Sequence, residues 1–286
     1  MTLRKRCLPA GWYPQHETQI RDFLSQIPLE VSCRTGLAAA VPHAGWFYSG
    51  PIAAAAIAAL NPEVDTLVLI GGHLPSGSSP LFAEEDGAVT PLGTLIIDHE
   101  YRDLLKSAFI SSIFPQGTKP DRYQDNTIEV LLPMASYFFP TSRILPFRLP
   151  NEIRAFEAGT ILAQIGKTLG RKTAVIGSTD LTHYGANYGF APYGQGKKAL
   201  DWVREVNDKA FIQSVIQGLP EQILERADQD RSACSVGAVL GTLGFAQAMG
   251  STKGELLGYG TSAGTIDREQ ECPDSFVGYA GIVWNT

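Results

Sequence analysis

Apolar residues in this chain alternate between two patterns. Nearly unbroken aliphatic runs at Leu37 to Val41, Thr66 to Ile70 and Thr173 to Ile176 predict buried strands, and Arg143 to Leu149 reads as a further strand. Between them, apolar positions recur at the helical period. That spacing predicts helices over His16 to Ile27, Pro51 to Leu60, His99 to Phe109, Thr127 to Phe139 and Glu152 to Leu169. Pro51 is expected in the first turn of its helix, Asp98 caps His99 to Phe109, and Gly170 stops the helix that ends at Leu169. Lys197 to Gln217, Glu221 to Ala227 and Ala233 to Met249 read as further helices, the last with Cys234 in its first turn. Phe82 to Ile97 reads as strand, turn and strand around Thr90-Pro91-Leu92-Gly93, and Glu255 to Tyr259 and Ser275 to Trp284 as closing strands. Strands alternating with helices predict an α/β fold: one α/β/α three-layer domain over residues 1–286, its hairpin pointing to a mixed central sheet.

Composition narrows the function classes. The chain has 286 residues and shows no linker, repeat or low-complexity tract that would divide it. A net charge of -6 argues against a nucleic-acid binder, which carries a basic patch. Cys7, Cys33, Cys234 and Cys272 stand far apart without a CxxC pair, so neither a disulfide framework nor a zinc knuckle is expected. No apolar stretch is long enough to span a bilayer and no signal peptide pattern follows the basic start, so a cytoplasmic protein without a membrane partner is expected.

Candidate chemistry gathers where strands end. His43 follows the first strand, Gly71-Gly72-His73 the second, and Asp180 and His183 the strand at Thr173 to Ile176. Open α/β sheets place ligands at such carboxyl ends. Two imidazoles with a thiolate or carboxylate suit Fe, Cu or Zn better than Mg or Ca. Cys234 at a helix start would be favoured as thiolate. The spacing of Asp180 and His183 lets the carboxylate orient the imidazole for acid–base work. Glu129 is expected in the pocket wall, accepting a hydrogen bond behind the ligands. Each residue also has an ordinary reading: hydrogen-bonded loop histidines, a packed cysteine, a turn-capping aspartate, a structural glutamate. His16 and His99 read as structural residues, His99 exposed in the first turn after its cap.

Several motifs, taken in order, resemble the Memo family. They are Pro42-His43-Ala44-Gly45 with Tyr48-Ser49-Gly50, Gly71-Gly72-His73, Thr90-Pro91-Leu92-Gly93 and Ile128-Glu129-Val130. Ser178-Thr179-Asp180-Leu181-Thr182-His183-Tyr184-Gly185, Cys234 and Val277-Gly278-Tyr279-Ala280 complete the series. Prokaryotic members are called protein B of the AmmeMemoRadiSam system, and the family is similar in fold to class III extradiol dioxygenases. The resemblance implies a metal triad of His43, His73 and Cys234, with Asp180 and catalytic His183 beside it. It implies iron or copper as cofactor, with zinc a further candidate, and proteins of the same system as partners. The chain departs from the family at Asp125-Asn126-Thr127, where Glu-His-Ser is usual. Asn126 can donate a hydrogen bond to a pocket ligand but is no general acid. Cysteine replaces the carboxylate of the dioxygenases, so ring cleavage does not transfer with the fold.

Three functions remain open on the sequence. The first is a mononuclear metal site with redox or dioxygenase-like activity on a small molecule. The second is a metal-free hydrolase with Cys234 as nucleophile, His183 as base and Asp180 as orienter. The third is a non-catalytic module whose pocket binds a peptide or protein.

Overall fold

The computed structural model describes residues 1–28, 34–123, 125–265 and 273–285; Cys33 and Cys272 lie outside them. The first strands are β1 (Leu3–Arg4), β2 (Gly36–Val41), β3 (Thr66–Leu74), β4 (Leu81–Phe82), β5 (Gly87–Thr90) and β6 (Gly93–Ile96). They are followed by β7 (Lys119–Pro120), β8 (Arg143–Pro150), β9 (Thr173–Ser178), β10 (His183–Gly185), β11 (Gly254–Thr261) and β12 (Ser275–Asn285). The helices begin with α1 (Glu17–Ser25), α2 (Trp46–Ala58), α3 (His99–Ser112), α4 (Asn126–Glu129), α5 (Leu132–Phe138) and α6 (Arg154–Thr168). After them come α7 (Lys197–Trp202), α8 (Asp208–Gln217), α9 (Pro220–Gln229), α10 (Val236–Ala248) and α11 (Ser262–Thr265).

The predicted mixed α/β architecture is present. Its parallel centre runs β2–β9–β3–β8. β12 joins β2 antiparallel, β10 and β11 join β12 antiparallel, and β4 joins β8 antiparallel. Strand side chains alternate between two cores, as the two-residue period requires. Ala38, Ala40, Val68, Ile70 and Val175 pack on the side of α3, α6 and α10. Ala39, Val41, Leu67, Leu69 and Ile176 face α1, α2 and α5. The hairpin with Thr90 and Gly93 at its turn forms as expected, but it belongs to a separate small sheet with β1. The antiparallel strands at both ends, not this hairpin, make the main sheet mixed.

Several boundaries differ from the expected ones. α2 begins at Trp46, so Pro51 lies inside it rather than in its first turn. The Trp46 N–H donates to the Trp12 carbonyl at 2.8 Å, a tertiary contact that fixes the earlier start. The segment expected as one helix from Thr127 to Phe139 is two, α4 and α5. Pro133 has no N–H for the Glu129 carbonyl and its ring crowds that oxygen, which ends the first piece. Lys197 to Gln217 contains a π turn at Val203–Asn207. α10 starts at Val236 with Ser235 as its N-terminal flank, so Cys234 precedes the helix instead of lying in its first turn. The Cys234 N–H donates to the Asp180 carbonyl at 3.2 Å and the Ser235 N–H to Thr179 Oγ1 at 3.1 Å, which holds both residues out of the helix.

Candidate metal centre

Three adjacent parallel strands, β2, β9 and β3, deliver His43, Asp180 and His73 to one edge of the sheet. His73 lies inside the end of β3, not after it, in the left-handed region at φ 59°. Such a backbone costs on the order of 1 kcal/mol for a residue with a side chain and persists where the surroundings impose it. Here they do. Its N–H donates to Ser235 Oγ at 3.2 Å, and Gly72 beside it leaves no room for a Cβ against Ser235. The segments that carry His73 and Cys234 are thereby pressed together.

His43 is buried and His73 exposed, with their rings edge to face at a centroid distance of 4.9 Å. Cys234 Sγ lies 3.3 Å from His43 Nε2, and one donor atom from each of His43, His73 and Cys234 falls within 4.8 Å of the others. His43 Nδ1 meets Ser178 Oγ at 2.9 Å, and His73 Nδ1 meets Asp125 Oδ2 at 3.2 Å. Both rings therefore keep Nε2 for a ligand, the usual arrangement behind metal-binding histidines.

The electrostatics of the three are mutual. Burial opposes the His43 imidazolium, but the negative charges of Asp180 and Cys234 outweigh it and raise its pKa. The His73 side chain is only about a third exposed, and this partial burial opposes charge on it, yet the bonds to Asp125 and Cys234 bring its pKa up to about 10. Burial would keep Cys234 as a thiol, but the two imidazoliums hold its pKa well below the ordinary range. Cys7 is the opposite case: burial and the Glu129 carboxylate push its thiol up to about 11.

A cavity of about 510 Å³ opens over the cluster, walled by Trp12, Tyr48, Tyr188 and Tyr279, with Asn126 and His183 also lining it. Asn126 Nδ2 donates to the His43 carbonyl at 3.2 Å. The expected Asp180–His183 hydrogen bond does not form. Asp180 Oδ1 accepts the His43 N–H at 2.8 Å, and Oδ2 lies 3.8 Å from His43 Nε2. His183 is oriented by the Leu181 carbonyl, 3.1 Å from its Nδ1. A carbonyl only accepts, so Nδ1 carries a proton, and in the neutral ring the lone pair is on Nε2. Burial and the Cys234 thiolate push the Asp180 pKa up against the pull of His43.

Glu129 is buried but does not line the cavity. It accepts from the Cys7 and Leu8 N–H groups at 2.9 and 3.0 Å and from the Tyr13 hydroxyl at 2.9 Å. Its role is to dock the N-terminal segment that carries Trp12 to the pocket wall. Sequence reasoning also misses Asp125, Ser178, Thr179 and Ser235. Asp125 is legible as a cap, since its side chain accepts the Thr127 N–H at 2.9 Å, but not as the partner of His73. His99 lies on the surface, 3.3 Å from Asp86.

The Memo-like protein family matches residues 4–283 of the chain. A MEMO1 family protein of Methanosarcina barkeri is 31% identical over 98% of this chain and 99% of its own length. Proteins of the same name from Methanosarcina acetivorans and Pyrococcus abyssi are 30% and 29% identical, over 99% and 98% of this chain and 99% of theirs. No described helix is long and apolar enough to cross a membrane.

Proposed function

The chain belongs to the Memo-like family, and from that premise and the donor geometry we propose that it holds one transition-metal ion, iron or copper and alternatively zinc, in a redox or dioxygenase-like site. The observation that carries this reading is the convergence of His43, His73 and Cys234 within 4.8 Å, with each ring's Nδ1 already engaged elsewhere. Two imidazoles and a thiolate fit such an ion. Without it, two raised imidazoles and a depressed thiol hold a compact charged cluster whose ring protons a dication would displace. The bound ion would supply Lewis-acid or one-electron chemistry.

The chain's own groups do the rest. Trp12, Tyr48, Tyr188 and Tyr279 wall a cavity that would enclose a small organic molecule or the side chain of a peptide beside His43 and His73. His183 Nε2 accepts a proton from that molecule, while the Leu181 carbonyl holds the ring in the required tautomer. Asp180, fixed by the His43 N–H, keeps the His43 ring aimed at the centre.

The test is metal analysis of protein purified without chelator, beside a His43→Ala/His73→Ala double variant. Stoichiometric metal in the wild type and its loss from the variant is the expected result. Equal, substoichiometric metal in both would sink the reading. One observation favours a second reading, a metal-free nucleophile: Cys234 Sγ and His43 Nε2 stand 3.3 Å apart, and the lowered thiol pKa and raised imidazole pKa suit a thiolate–imidazolium pair. Its base would be His43 and not His183. Iodoacetamide separates the two, since alkylation of Cys234 that added iron or cobalt(II) does not slow belongs only to the metal-free enzyme.

A further inference from the structure

Behind His73 runs a line of alternating charges that no ligand motif announces. Arg148, on β8, is buried, and its guanidinium spans two carboxylates: one nitrogen lies 2.7 Å from Asp121 Oδ1 and another 3.2 Å from Asp125 Oδ2. Asp125 Oδ2 is the same oxygen that meets His73 Nδ1. On the far side, Arg4 of β1 lies 3.2 Å from Asp121 Oδ2 and also donates to the Asp121 carbonyl. Gly71 lies opposite Arg148 in register, and a Cβ there would collide with Thr127 Oγ1 and come to 2.8 Å from Ile128 and 3.0 Å from the Arg148 stem.

The two histidines depend on such support to different degrees. His43 is buried, held by Ser178 at its ring and Asp180 at its N–H. His73 sits at the rim, and Asp125 is the one hydrogen-bond partner of its ring outside the cluster among the described residues. Asp125 is in turn pinned by Arg148 and the Thr127 N–H. An ion pair serving only the fold would not need to end on the oxygen that orients a ligand.

We propose that Arg148 is a positioning residue of the metal centre, acting through Asp125 on the His73 ring, with Asp121 and Arg4 completing the relay to the N-terminal segment. The inference rests on the metal-centre reading above. A planar fork can hold both carboxylates at once, whereas a lysine ammonium is a point charge that keeps the sign and loses the bridge.

The experiment is cobalt(II) titration of the full chain, wild type against Arg148→Lys, read by thiolate-to-cobalt absorption and chelator competition. Arg171→Lys, at an ion pair with Asp98 and Glu100 remote from the cavity, is the control. Arg148→Lys should weaken cobalt binding about 10-fold, the lower end for partners of metal-ligating histidines. In the zinc-loaded protein it should also remove the protected His73 Nδ1–H proton resonance, which a merely structural role would leave in place. Unchanged affinity and a retained resonance overturn the proposal. If Arg148→Lys does not fold, Arg4→Lys decides, since it loosens only the outer link. A cobalt affinity lowered by a few fold supports the relay, and wild-type affinity refutes it. A wild type that binds no cobalt, zinc or iron removes the metal centre itself, a separate outcome visible before any variant is made.

Discussion

At Gly72 a hydrogen atom in place of a side chain lets the segments bearing His73 and Cys234 meet. A Cβ there would collide with the Ser235 side chain and come to 3.0 Å from its Cα. Gly72→Ala should therefore destabilise the fold by about 1–3 kcal/mol, as overpacking does, and weaken the proposed metal site with it. Urea denaturation checks the first part, and a variant within about 0.5 kcal/mol of wild type contradicts the close approach. The same residues show how far the site is readable. His43, His73 and Cys234 stand out because strand ends and a motif order point at them. Asp125 does not, because a residue that caps a helix has already spent its visible signal. Glu129 misleads for a related reason: a carboxylate in a motif says that something is held, and here the thing held is Cys7, Leu8 and Tyr13. Asp180 and His183, three apart, look like a pair, but the chain turns Asp180 toward His43 and leaves His183 to a backbone carbonyl.

Among the elements, α6 and α10 pack closely enough that glycines form their seam. A Cβ on Gly159 would collide with the Gly241 carbonyl and come to 2.6 Å from the Phe245 nitrogen, backbone atoms that cannot turn aside. Gly159→Ala should cost about 1–3 kcal/mol despite the better helix propensity of alanine, because the helices must part to admit it. Thermal unfolding measures it, and a raised midpoint would show that the pair has slack. Elements of this kind are legible as elements: the strands at Thr66 and Thr173 and the helix after Glu152 follow from periodicity alone. Their ends are less so. α2 starts early because Trp12, far back in the chain, accepts its first N–H, and α10 starts late because Asp180 and Thr179 take the N–H groups of Cys234 and Ser235. Local pattern cannot contain partners that only the fold supplies.

For the molecule as a whole, the buried carboxylate of Asp208 makes stability depend on pH in a direction opposite to that of an ordinary ion pair. Asp208 opens α8 directly after the π turn, fully buried. Oδ1 accepts from the Thr182 N–H at 3.1 Å and from its hydroxyl, and Oδ2 from the Tyr259 hydroxyl at 2.8 Å. Gly278, where a Cβ would strike the carboxylate, leaves it room. Burial pushes its pKa up to about 6, against those three bonds. Between about pH 4, where the unfolded aspartate ionises, and about pH 6, the folded state binds more proton than the unfolded one, so stability falls as pH rises. A shift of roughly 2 units corresponds to a loss of about 3 kcal/mol across that window, and none is added above it. The amide introduced by Asp208→Asn keeps an oxygen for Thr182 and offers Tyr259 its NH2 group, without the ionisation. That substitution should therefore gain on the wild type by up to about 3 kcal/mol between pH 4 and pH 7, the gain levelling off beyond. Denaturation of both proteins across that range reads the difference, which cancels the contributions of Asp180 and of the His73 and Cys234 groups common to both. A difference that does not change with pH would mean that Asp208 titrates normally. The segment it clamps joins β9 to β10, so the destabilising charge is linked through the main chain of Thr182 to His183, the residue proposed to accept a proton.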